Sequence, residues 1–118
     1  MKSENGYHKE LKLLMNEYVH FVYKTTKKFP NDEMYGVISQ IRRSSLSVVL
    51  NYIEGYARMG EASYKNFLKI SYGSLKEPKY LLEFSFEERY LSKENYDIGI
   101  RMADRIGAML WGIISKMK

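Results

Sequence analysis

The stretch SQIRRSSLSVVLNYIEGYAR, Ser39 to Arg58, sets the fold of this chain. At 100° per residue, Val48, Ile41, Tyr52, Tyr56, Val49, Ile53, Leu46 and Leu50, with Ile38 just ahead of them, fill an apolar arc of roughly 200°, wider than a helix resting on one neighbour needs. Such a helix is covered on two sides, which places it inside a bundle. Arg42 falls near the middle of the arc, whereas Arg43, Ser47, Asn51 and Glu54 lie along the opposite polar stripe.

Working outward, Tyr7, Leu11, Leu14, Tyr18, Phe21, Val22, Thr25 and Phe29 recur at intervals of three and four, predicting a first helix over about 7–28. Pro30 disfavours helical backbone at Phe29, and Asn31 or Asp32, with Glu33 behind, reads as the cap of a second helix over about 32–58. Gly60 ends that helix. A third runs over about 62–87, with a kink expected at Pro78 and Gly73 easing close packing nearby. Ser92 offers an N-cap, with Glu94 in the first turn, for a fourth helix over about 93–117 that buries Tyr96, Ile100, Ala103, Ile106, Gly107, Leu110, Ile114 and Met117. The pattern predicts one all-α domain over 1–118, an antiparallel up-down-up-down four-helix bundle.

With 45% hydrophobic residues and two prolines, 118 residues suffice for one core and argue against disorder. The lack of cysteine removes disulfides, thiolate metal sites and thiol nucleophiles, and fits a reducing compartment. No apolar run has the length of a signal peptide's or the roughly 20 residues of a membrane span, so a soluble, cytoplasmic protein with no membrane partner is expected. The net charge of +5 is unevenly spread: residues 1–29 hold six Lys against three Glu, residues 92–118 hold five basic against three acidic side chains, and the middle is balanced. A basic surface on the first and last helices suits RNA, DNA or an acidic protein.

Patterns that carry catalysis are missing: there is no Gly-rich phosphate loop, no His-Glu-x-x-His and no nucleophile elbow. EYVH, Glu17 to His20, has the Glu-x-x-His spacing of di-iron carboxylate bundles, but the other histidine, His8, sits on or just before the same helix and no second such motif follows. We therefore expect no metal, no cofactor and no enzymatic activity. Tyrosines can stack on bases, yet Tyr18, Tyr52, Tyr64 and Tyr96 fall on or beside predicted buried faces and read as core or interface anchors.

On the third helix Glu61, Lys65, Lys69, Lys76, Lys79, Glu83 and Glu87 share one face, leaving Glu77 as the charge on the apolar side. An unpartnered charge in a core is costly, so Arg42 and Glu77 are expected to pair, either within the bundle or, in the rival reading, between subunits. Arg43, Ser47, Asn51 and Glu54 form either a solvated stripe or a strip facing a ligand or subunit. Glu54 and Arg58 stand i, i+4 in the favourable order.

The segments YGVISQIRRSSLSVVLNYIEGYAR and NFLKISYGSLKE resemble a family of bacterial four-helix-bundle proteins encoded by intervening sequences of 23S ribosomal RNA genes. The resemblance runs from about Leu11 to the C-terminus. Gln40, Arg42, Arg43, Asn51, Glu54, Gly55 and Arg58 take the positions of the family motif, and Glu77 that of its third-helix glutamate. Val49, Leu50, Tyr52 and Ile53 are bulkier than the family pattern, and Pro78 replaces a usual leucine. The resemblance implies a left-handed bundle without catalytic activity that assembles into a ring-like homo-oligomer, a pentamer. A more distant likeness, to the basic accessory ring of diversity-generating retroelements, implies binding of RNA or a ribonucleoprotein. The residues expected to contact nucleic acid are Lys9, Lys12, Lys24, Lys27, Lys28, Arg101, Arg105, Lys116 and Lys118. The alternative is a protein-protein scaffold that uses the apolar surplus of the second helix.

Overall fold

The computed structural model describes residues 6–58 and 60–117. Among them every regular element is helical: α1 (Gly6–Thr26), a 3₁₀ turn (Asn31–Glu33), α2 (Val37–Tyr56), α3 (Glu61–Ser74), α4 (Lys76–Glu87) and α5 (Lys93–Ile114). α3 and α4 are two parts of one rod, so the chain makes a four-helix bundle. α1 packs against α2 and α5, and the α3–α4 rod packs against the same two helices from the other side.

Pairs of touching residues show how the rods lie. Tyr7 meets Met109, Glu10 meets Arg105, and Phe21 lies against Gly99, so rising numbers on α1 meet falling numbers on α5. His8 bonds Tyr52 and Thr26 bonds Arg42 across α1 and α2. Gly55 abuts Phe67 and Val48 meets Ser71 across α2 and α3. Leu75 abuts Gly107, Lys79 meets Asp104, and Leu82 lies against Gly99 across the second rod and α5.

The core is where the four apolar stripes converge: Leu11, Met15, Ile41, Val48, Tyr52, Leu68, Ala103, Ile106 and Leu110 have no exposed surface. The buried stripe of α1 is broader than its Leu11, Tyr18 and Val22 recurrence suggests. It takes in Met15, Val19 and Thr26, because α1 is covered by α2 as well as α5. Of the four tyrosines read as anchors, Tyr18, Tyr52 and Tyr64 are buried, while Tyr96 is half-buried and stacks on Phe86 at 4.7 Å.

Tyr18 carries its hydroxyl into this core without a hydrogen-bond partner among the described residues. Burial pushes its phenol well above the ordinary range; Tyr64, buried beside Tyr56, is raised to about 12. An orphan buried hydroxyl costs about 1–3 kcal/mol. Tyr18→Phe, which keeps the ring and removes the oxygen, is therefore expected to raise stability by about 1 kcal/mol in urea unfolding. A loss of stability would mean that the hydroxyl is satisfied by a buried water.

Three local features depart from expectation. The second helix begins at Val37 rather than near residue 32, because Asn31–Glu33 close a 3₁₀ turn instead. Glu33 locks that turn, with Oε1 accepting from the Val37 N–H at 3.3 Å and Oε2 from the Tyr90 hydroxyl at 2.8 Å. The third rod breaks at Leu75, three residues before Pro78. The proline ring excludes the carbonyl of residue 74, and the Leu75 N–H turns to Tyr72 instead. Gly73 has open space around it, and the close approach occurs at Gly55, where an added Cβ would stand 2.7 Å from Phe67 Cβ.

The ends of the last helices follow local rules. Arg89, at φ 67°, closes α4 in a Schellman turn, with its N–H on the Phe86 carbonyl and the Tyr90 N–H on that of Ser85. Ser92 Oγ then accepts the Asn95 N–H at 3.1 Å and caps α5.

Candidate nucleic-acid interface

The two helices with the excess positive charge lie side by side, but their basic side chains fall into two groups. Lys24, Lys27 and Lys28 are exposed where α1 ends and α5 begins. Lys9, Lys12, Arg105 and Lys116 are exposed at the opposite end, where Tyr7 donates to the Met109 carbonyl at 2.7 Å. Arg105 there is held in an ion pair with Glu10. Arg101 is exposed midway along α5, and Lys118 lies outside the described residues.

The end with Lys24, Lys27 and Lys28 is also where α2 delivers its arginines. The last turn of an α-helix leaves carbonyls without helical partners and a partial negative charge. Arg42 answers both: its Nε donates to Thr26 Oγ1 at 2.9 Å and its Nη2 to the Tyr23 carbonyl at 3.3 Å. Its guanidinium lies 4.6 Å from the centre of the Tyr23 ring. Thr26 in turn donates to the Val22 carbonyl at 2.7 Å.

The expected Arg42 to Glu77 pair within the bundle is therefore not formed. The side of α2 that carries Arg42 faces α1, not the second rod, and Glu77 is exposed in the first turn of α4, where a carboxylate suits the helix dipole.

The other motif residues make modest contacts. Gln40 is exposed, and Arg43 is exposed with one long contact to Ser39 Oγ at 3.4 Å. Asn51 donates to the Ser47 carbonyl at 2.9 Å. Glu54 pairs with Arg58 at 2.7 Å, and Arg58 also covers the Phe67 ring. Gly55 is buried at the α2–α3 crossing. Glu17 and His20 are exposed on α1, and among the described residues no group of three or more His, Asp or Glu side chains could hold a metal ion.

Two grooves flank the last turn of α1. One, of about 550 Å³, runs between α1 and α5 and is lined by Lys24, Lys28, Tyr90, Ser92 and Asn95. The other, of about 420 Å³, runs between α1 and α2 and is lined by Tyr23, Met34, Tyr35, Arg42 and Arg43. Tyr35 is 94% exposed at its lip. Sequence reading missed this residue because it placed the whole of MYG inside the second helix. The usable signal was Gly36 directly after an aromatic and before the apolar recurrence at Val37 and Ile38.

A family model described as 23S rRNA-intervening sequence protein matches residues 11–112. The chain belongs to that family. The match spans Lys24, Lys27, Lys28 and both α2 arginines, and leaves Lys9, Lys116 and Lys118 outside. Among solved structures, a protein of unknown function from the S23 ribosomal protein family of Bacteroides thetaiotaomicron VPI-5482 is 24% identical, with a TM-score of 0.80. That alignment covers 90% of this chain and 99% of the other, so the two share a fold. Comparison with curated proteins gives no match. Among the described residues no helix is long and apolar enough to cross a membrane.

Proposed function

We propose that this chain is a non-enzymatic, up-down-up-down bundle that works in the cytoplasm as a ring-like homo-oligomer, a pentamer by family resemblance, and binds RNA, alone or in a ribonucleoprotein. The observation that carries the reading is the convergence of Lys24, Lys27, Lys28, Arg42 and Arg43 at one end of the molecule, around two open grooves. Clustered cations attract a polyanion, and the attraction is electrostatic in origin. Membership of a family named for sequences within ribosomal RNA genes agrees with RNA as the polyanion.

The test is a fluorescence-anisotropy titration of structured RNA at low and physiological salt, with duplex DNA as control. The reading predicts saturable binding that prefers RNA and weakens steeply as salt rises. Salt-independent binding, or none at either salt, would contradict it.

A second reading, a protein-protein scaffold, has its own support. Leu50 and Ile53 on α2 are 59% and 48% exposed, and Trp111 stands 53% exposed over a groove between α5 and the second rod. Exposed apolar residues in such groups suit contacts between proteins. If the protein binds no RNA but its measured mass is a multiple of 14.0 kDa, this reading replaces the first.

A further inference from the structure

The groove between α1 and α2 differs from the lysine-lined groove across the helix in both chemistry and rigidity. It is lined by two arginines, and no carboxylate lines it. The adjoining turn carries two acidic side chains: Asp32 is exposed, and Glu33 has both oxygens turned to Val37 and Tyr90. Arg42 uses two of its five donors on Thr26 and Tyr23 and is braced by the Tyr23 ring, so its remaining edge is held in place before any ligand arrives. Arg43 is exposed and bound only loosely, by the 3.4 Å contact to Ser39. Tyr35, with 94% of its surface in water, and Met34, at 47%, line the same groove and contribute little to the core.

We propose that this groove holds one unpaired nucleotide of a single-stranded RNA, with its base on the ring of Tyr35 and its phosphate between Arg43 and the open edge of Arg42. An aromatic face beside fixed cations is the combination that binds single strands: stacking accepts any base, and the guanidinium fork matches phosphate. A duplex keeps its bases stacked inside and cannot use the ring. The lysines at the end of α1, Lys24 and Lys28 in the neighbouring groove among them, then carry the flanking backbone. The site rests on the reading of RNA as ligand, and adds to it a preference for single strands that charge alone does not supply.

The experiment compares wild type, Tyr35→Ala, Tyr35→Phe and Arg43→Ala in titrations of a fluorescent oligouridine and of a duplex RNA over a salt series. Thermal melts and masses are recorded for each variant, and the exposure of both side chains leaves the fold intact. Tyr35→Ala is expected to weaken single-strand binding about 5- to 100-fold, with duplex binding and the salt slope unchanged. Tyr35→Phe should bind like wild type, and Arg43→Ala should weaken single-strand binding and flatten its salt slope by about 0.7. Wild-type affinity in Tyr35→Ala, with RNA still bound, would overturn this site and leave the basic end of the bundle as the interface. Equal losses in Tyr35→Ala and Tyr35→Phe would overturn stacking, and a drop in mass on Tyr35→Ala would make the groove a contact between copies. Wild-type protein that binds neither RNA would overturn both the site and the RNA reading.

Discussion

Gly55→Ala is expected to destabilise the protein by about 1–2 kcal/mol, although the same change in an ordinary helix would stabilise it by about 1 kcal/mol. At Gly55 the added methyl would meet Phe67 Cβ at 2.7 Å and the Tyr64 carbonyl oxygen at 3.3 Å. One neighbour is backbone and the other is the root of a side chain, so no rotamer change relieves the clash and α2 and α3 must separate. Gly73→Ala is the matched control. It lies inside α3 with nothing within 4 Å of the added carbon, so only the propensity gain remains and stability should rise by about 1 kcal/mol. Opposite signs in urea unfolding are the expected result. A stabilised Gly55→Ala would show that the α2–α3 crossing is looser than described.

Replacing Lys24, Lys27 and Lys28 together by alanine is expected to weaken RNA binding about tenfold or more at low salt. It should also reduce the slope of log affinity against log salt by about two, because each contact to a single strand contributes about 0.7. The change touches three exposed side chains at the C-terminal end of α1. Its structural cost is limited to the helix dipole, about 0.3–1 kcal/mol for each charge lost, and a melting curve separates this from the loss of binding. The matched variant at the opposite end, with Lys9, Lys12 and Lys116 replaced, removes the same charge and should shift the slope far less. Equal effects of the two triple variants would mean that binding follows net charge and has no particular site.

How much was legible in the sequence differs from element to element. Ser92 could be read as a cap because its partner, the Asn95 N–H, is three residues away. The start of α2 could not, because Glu33 is held by Tyr90, 57 residues further on, and that tertiary bond selects a 3₁₀ turn over an equally plausible helical cap. The wheel placed Arg42 near the middle of a wide apolar arc, whereas the buried face of α2, with Ile41, Ser45, Val48 and Tyr52, lies to one side of it. Arg42 is half-buried, and Leu50 and Ile53 of that arc are exposed. Nor could the wheel say which neighbour Arg42 meets, and α1 with its free carbonyls takes that place rather than the second rod. Gly55 and Gly73 look alike as letters, and only the helix crossing tells them apart.

The candidate site was legible as charge and not as place. Counting lysines singled out the first and last helices, but Lys9 and Lys24 stand about four turns apart on α1, at different ends of the molecule, and the packing of α2 against α1 joins Arg42 and Arg43 to the second group. Tyr35, the most exposed of the large hydrophobic side chains, was hidden by its assignment to a helix that begins two residues later.

Whether RNA is held at the end of the bundle where α1 stops is tested by ultraviolet cross-linking of the purified protein to RNA followed by peptide mapping. Cross-links confined to peptides containing Tyr23 to Lys28 and Tyr35 to Arg43 are the predicted result. Cross-links on Lys9, Arg105 or Lys116 in their place, or none above those of a non-binding control protein, would rule out an RNA site at this end.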